Sequence, residues 1–93
     1  MEDRITIEKI HKYRDLTSRA LKIAYRSIEK GKVPQGKEII EMVSNYLSDS
    51  EYFEKKEDFI NAFAALNYAH GWLDSGARLG VFDVKDDRFF TVK

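Results

Sequence analysis

Within the stretch "YAHGWLDSGARLG", residues 68–80, His70, Asp74 and Arg78 follow one another at four-residue steps, and Asn67 precedes His70 by three. On a helix those spacings bring side chains into contact. A carboxylate against an imidazole can fix its tautomer and raise its basicity, which is the start of general acid–base chemistry. Tyr46 and Asp49, 24 and 21 residues before His70 but one helix away in a bundle, complete a candidate polar site of His70, Asp74, Asn67, Arg78, Asp49 and Tyr46. The same strip has a structural reading. A core histidine hydrogen-bonded to Asp74, itself held by Arg78, would satisfy every group and fix the helix register. Structural networks of this kind mimic active sites, so this reading takes precedence over the catalytic one.

Other chemistries find less support. A metal centre needs three or four ligands. His70 and Asp74 supply two and Asp49 or Glu54 a third at most, so no metal site is expected. The chain has no cysteine, no Gly-x-Ser-x-Gly and no glycine-rich phosphate loop. No cofactor is implied.

The elements that must position these residues read as three helices. The first is expected over about 3–30, with Ile10, Tyr13, Thr17, Ala20, Ala24 and Ile28 on one face and the pairs Glu8–Lys12 and Asp15–Arg19 opposite. "KGKVPQGK" reads as a loop, Gly31 ending the first helix and Pro34 following. The second helix is expected over about 37–55, burying Ile39, Val43, Tyr46, Ser50 and Phe53. Glu57 and Asp58 suit the positive end of a third helix, about 58–79, whose stripe is Phe59, Phe63, Leu66, His70, Leu73 and Ala77. Its reverse face carries Ala65, Tyr68, Trp72 and Leu79, with no charge between Asp58 and Asp74. A helix apolar on both sides needs cover on both. A partner subunit or the C-terminal tail could supply it, which makes Tyr68, Trp72 and Leu79 a candidate interface. Gly71 and Gly76 each cost about 1 kcal/mol within a helix, a cost that close packing would explain. Gly80 suits the helix end.

The expected fold is all-α, an up-down-up three-helix bundle. The tail, 81–93, holds Val81, Phe82, Val84, Phe89, Phe90 and Val92 around a polar centre and reads as a small hairpin or an extended segment. Ninety-three residues set the expectation of a single domain. No apolar run approaches the roughly 20 residues of a membrane helix, and the start is too polar for a secretory signal, so a cytoplasmic protein off the membrane is expected.

The formal charge is zero but unevenly spread: residues 1–37 hold ten Lys/Arg and five Asp/Glu, residues 38–93 six and eleven. Arg19, Lys22, Arg26 and Lys30 share a face near the end of the first helix. They could receive an anion or a nucleic-acid backbone. No aromatics interleave for stacking on bases, and the chain lacks the net basic excess of a duplex binder, which argues against nucleic acid.

"DFINAFAALNYAHGWLDSGARLGVF", preceded by "YLSDSEYFEKKE", resembles the uncharacterised archaeal family called domain of unknown function 357. Members typically show Tyr-x-x-Asp-Ala-x-x-Phe, a Gly-Asp break, then Tyr-Ala-His-Gly-Trp-Leu-Asp-Ala-Gly. Tyr46, Asp49, Ser50 and Phe53 answer the first segment, with serine for alanine. Tyr68, His70, Gly71, Trp72, Asp74 and Gly76 answer the last, with Ser75 for alanine, and Glu57 stands where the break usually has glycine. The resemblance covers roughly residues 40–82; the first helix matches only in length and pattern. It implies a compact helical bundle and no known activity. The family's occurrence beside cytidylyltransferase-like domains implies, by analogy, a helper role in nucleotide or cofactor chemistry.

The leading expectation is a non-enzymatic helical interaction module that binds a protein partner or itself through the third helix. The alternative is a small-ligand or catalytic pocket between helices two and three around His70 and Asp74. Nucleic-acid binding through helix one is the weakest of the three.

Overall fold

Three helices account for most of the chain in the computed structural model, which describes residues 4–90. α1 spans Ile7–Tyr25, α2 Val33–Lys55 and α3 Phe59–Arg78. They form the expected up-down-up bundle: Arg14 of α1 reaches Glu54 near the end of α2, while Tyr13 meets Phe63 near the start of α3. The faces read from the sequence for α1 and α2 hold, except that Tyr13, Tyr46 and Phe53 are only half-buried. Ile10, Thr17, Ala20 and Ala24 are buried on one, Ile39, Val43 and Ser50 on the other.

The boundaries differ from expectation where tertiary pairing overrides local preference. α1 starts at Ile7, capped by the Thr6 hydroxyl, which accepts from the Lys9 amide at 3.1 Å. The expected start at residue 3 lies outside the described residues. α1 stops at Tyr25 rather than near residue 30, because the backbone beyond it pairs with the tail. Asp83 N–H donates to the Ser27 carbonyl and Glu29 N–H to the Val81 carbonyl, both at 2.8 Å, making an antiparallel bridge between Ile28 and Phe82. Ile28 is thus a bridge residue and not part of the helical stripe. Gly31 does not end α1; it lies in a 3-10 turn, Lys30–Lys32. Pro34 opens α2 instead of dividing a loop, since its fixed φ suits a first helical turn.

The α2–α3 turn also departs from expectation. Glu57 is not in the first turn of α3. It is the left-handed residue that ends α2, with φ of 58°, and the Asp58 amide reaches back to the Phe53 carbonyl at 2.9 Å. Asp58 caps α3 by accepting from Asn61 N–H at 3.1 Å. Gly80, with φ of 76°, ends α3 as expected.

α3 buries a different stripe from the one read in the sequence. Ala62, Ala65, Ala69 and Gly76 are buried beside Leu66 and Leu73, while Phe59, Phe63, His70 and Ala77 are only half-buried. Small residues let the neighbouring helices approach closely. The tail is not a hairpin: it runs extended to Asp86 and then turns, the Phe90 amide donating back to the Asp86 carbonyl at 3.3 Å. Phe82 is fully buried against Gly76, whose missing Cβ leaves the space that the ring occupies, and Phe90 is buried in the same core with Ala20, Ala24, Val43 and Leu73. The tail therefore straps α1 to α3. It leaves the opposite side of α3 open, and Val92 lies outside the described residues.

Two substitutions test this account. Gly76→Ala drives a methyl into the buried Phe82 ring and should cost about 1–3 kcal/mol in urea denaturation; an unchanged midpoint would refute the close approach. Glu57→Gly relieves a left-handed side-chain residue and should gain about 1 kcal/mol in the same assay, a gain that would be absent if residue 57 were helical.

Candidate functional site

Phe89 and Thr17, not Asp74, hold His70. A backbone carbonyl can only accept, so the ring's Nε2 carries a proton and donates to the Phe89 carbonyl at 2.7 Å. In the neutral ring Nδ1 then accepts from the Thr17 hydroxyl at 3.1 Å. Thr17 is buried and His70 half-buried, so both ring nitrogens are committed to the fold. The Asp74 carboxylate lies 3.8 Å from Nε2, close enough for a charge interaction and too far for a hydrogen bond. A histidine with both nitrogens engaged by the protein is poorly placed to take a proton from a substrate.

The six candidate residues divide. Asn67, His70 and Asp74 line one cleft of about 270 Å³ with Tyr13, Leu16, Thr17, Leu66 and Gly71. It lies between α1 and α3, not between α2 and α3. Its volume falls just below the range of small-molecule pockets, about 300–1,000 Å³. Tyr46 sits on the other flank of α3, its ring stacked on Tyr68 at 5.5 Å between centroids. Asp49 is exposed on α2, and Arg78 is exposed in the last turn of α3. Among the described residues, no group of three or more histidine, aspartate or glutamate side chains converges as metal ligands would.

A second polar cluster escaped the sequence reading. His11 and Arg14 on α1 meet Ser50 and Glu54 on α2. Arg14 Nη1 donates to Glu54 at 2.6 Å and its Nε to Ser50 Oγ at 3.1 Å, while His11 Nε2 lies 2.9 Å from the other Glu54 oxygen. Arg14 Nη2 is buried with no acceptor among the described residues, so two of its three nitrogens do the anchoring. The signal was present as two spacings, three on α1 and four on α2, which antiparallel packing brings face to face. The hydrogen bond from His11, then that from Arg14, holds the Glu54 carboxyl below its ordinary value of 4.5. The cluster clamps α1 to α2.

The candidate interface is the third feature. Tyr68 and Leu79 are 64% and 73% exposed, Ile60 is 73% exposed, and Trp72 37%. Trp72 forms a ridge between two open grooves. One, about 350 Å³, runs beside Asn67, Tyr68, Gly71 and Ser75; the other, about 460 Å³, beside Pro34, Glu38, Leu79 and Val81. A Cβ at Gly71 would meet nothing within 4 Å, so close packing inside the monomer does not explain that glycine. Of the basic face, Arg19 pairs with Asp15 at 3.0 Å, Arg26 Nε donates to the Lys22 carbonyl at 3.3 Å, and Lys30 lies on the 3-10 turn beyond α1. Among the described residues no helix is long and apolar enough to cross a membrane.

His70→Leu removes the donor to the Phe89 carbonyl and the partner of the buried Thr17 hydroxyl. Stability should fall by about 1–3 kcal/mol, with faster amide exchange across residues 82–90; a variant that melts higher would overturn the structural role. Because the folded Glu54 pKa is depressed, its stabilisation is present above pH 4.5 and is lost as pH falls through the folded value. Urea midpoints of wild type should therefore drop more steeply below pH 4.5 than those of Glu54→Gln; parallel curves would remove the clamp.

Searches of curated proteins and of solved structures return no match. One family's sequence model does match, over residues 12–82, and so takes in most of α1 as well as the segment around His70 and Trp72. The chain belongs to that family, described as protein of unknown function (DUF357).

Proposed function

We propose that the protein is a non-enzymatic interaction module that pairs with a second copy of itself through the outer face of α3. The carrying observation is the face itself: Ile60, Tyr68, Trp72 and Leu79 exposed on one helix, with Gly71 and Ser75 bare between them. Scattered surface hydrophobes are ordinary, but a contiguous row beside a groove marks an interaction site. Charge favours a second copy as the occupant. From Phe59 to Leu73 the helix has no charged residue, and Arg78 enters the face only at its last turn. A neutral face buries itself against its own image without stripping water from ions. A two-fold arrangement would seat each Trp72 ridge in the groove beside the other copy's Gly71, the isologous geometry of a symmetric dimer.

The ligand-site alternative has less behind it, since His70 is consumed by the fold and its cleft is small. An interaction module that carries no cysteine and no membrane-length helix among its described residues suits a cytoplasmic location, which belongs to the same proposal.

Gly71→Ala separates the roles. In the monomer the new methyl enters open space and should raise helix stability by up to about 1 kcal/mol. At the interface it stands between the two helices. Sedimentation equilibrium should therefore show weaker association for a more stable chain, and Leu79→Glu, at a position 73% exposed, should abolish association with little change in melting. A wild type that stays monomeric at millimolar concentration would sink the proposal.

A further inference from the structure

The face of the bundle away from α3 carries a further groove, of different chemistry. It runs between α1 and α2. Leu21, Tyr25 and Ile40 form its floor, with Lys22 and Arg26 along one wall, and the cleft is about 470 Å³. Past Tyr25 it continues as a cleft of about 390 Å³ lined by Ile28, Ile40, Lys37 and Glu41. Tyr25 stands between the two, 66% exposed. Leu21, Ile28 and Ile40 are half-buried: one side of each packs on the core and the other faces the groove.

The charge around this groove is one-sided. Between residues 19 and 37 the chain has Arg19, Lys22, Arg26, Lys30, Lys32 and Lys37 against a single acidic residue, Glu29. Lys22 and Arg26 rise from α1 and Lys37 from the start of α2, so cations border the apolar floor on both sides. Glu41 is the acidic side chain in the lining, at the far end. The neutral outer face of α3 would be a poor occupant, because it offers those cations no partner. A nucleic-acid backbone would meet the cations but lay its sugars and phosphates over Leu21 and Ile40, and Tyr25 alone is no platform for successive bases. A small molecule would stay largely wetted in grooves open along their length, whereas small-molecule sites bury most of the ligand.

We infer that the α1–α2 groove receives an acidic amphipathic helix from another protein, its aliphatic side chains on Leu21, Tyr25 and Ile40 and its carboxylates toward Lys22, Arg26 and Lys37. Leu21 and Tyr25 are one helical turn apart on α1 and Ile28 follows on the bridge segment beyond it, so the floor suits anchors spaced three and four residues apart. The docked helix becomes a fourth member of the bundle. The basic rim speeds encounter and excludes basic partners, and the apolar floor holds what has arrived. This site lies on a different face from the α3 pairing and stands or falls independently of it.

The test uses the full chain and a fluorescein-labelled synthetic peptide of about four helical turns, with leucine at three- and four-residue steps and glutamate elsewhere. Anisotropy should show saturable binding that weakens with added salt. Amide shifts should gather on residues 21–28 and 37–41 and leave residues 68–79 unmoved. Lys22→Glu combined with Arg26→Glu, both exposed positions, should weaken binding roughly tenfold or more while far-UV circular dichroism stays unchanged. Tyr25→Ala should also weaken binding, with less change in its salt dependence. Equal binding of a peptide with the same composition and scrambled leucines would reduce the groove to a charged surface and overturn the inference. So would shifts at 21–28 that appear on concentrating the protein alone, which would make the occupant a second copy, or tight binding of polyuridylate with none of the peptide.

Discussion

The Phe82 ring occupies the space that a side chain at residue 76 would need, and much of the molecule follows from that contact. Seating the ring brings Val81 and Asp83 alongside the end of α1, where their backbone groups need partners. Ser27 and Glu29 supply them, which is why α1 unwinds at Tyr25 although its sequence could continue as helix. Ile28, freed from the helix, lies over the first turn of α2, and its Cγ2 comes within 2.7 Å of where a Cβ at Gly36 would be. Further along, the same strap carries the Phe89 carbonyl to His70. One glycine on α3 thus fixes the end of one helix, the start of another and the partner of the conspicuous histidine.

The bundle was legible because α1 and α2 follow helical periodicity without exception at their buried positions. Thr17, Ala20 and Ala24 recur at three- and four-residue steps, with Ile10 two turns before Thr17, and Ile39 and Val43 are likewise four apart. α3 misled for a physical reason. Ranking by side-chain size puts Phe59, Phe63 and His70 inward, but the gap that α3 fills is narrow and admits Ala62, Ala65, Ala69 and Gly76. Close approach of backbones outweighed the burial of rings, and the displaced aromatics went to the flanks and the surface. The tail could not be read at all from periodicity, since an extended strap takes its pattern from the surface it crosses. His70 therefore had a recognisable spacing and an unrecognisable partner.

The two exposed apolar features differ in ways that bear on their use. The α3 face is neutral along most of its length and self-complementary in shape, with a ridge at Trp72 and bare backbone at Gly71. The α1–α2 groove is bordered by cations and has no such symmetry. The uneven charge of the two halves of the chain has its structural counterpart here: the basic half supplies α1 and the turn into α2, and the acidic half supplies most of α2 and all of α3. A protein of this size that presents one neutral and one basic surface on opposite sides has room to act as a junction between like and unlike chains.

The strap also orders events in time. α2 and α3 are joined by three residues and pack along their whole length, so their hairpin closes a short loop and can form early. Phe82 must instead find Ile28, fifty-four positions back, after α1 has folded onto that hairpin. Synthesis runs from the N-terminus, so the strap is made after α1, α2 and α3 and must then dock. Until it does, the Gly76 backbone and the Ala20–Ala24 side of α1 remain uncovered, and the nascent bundle stays open along the seam that the finished protein seals last.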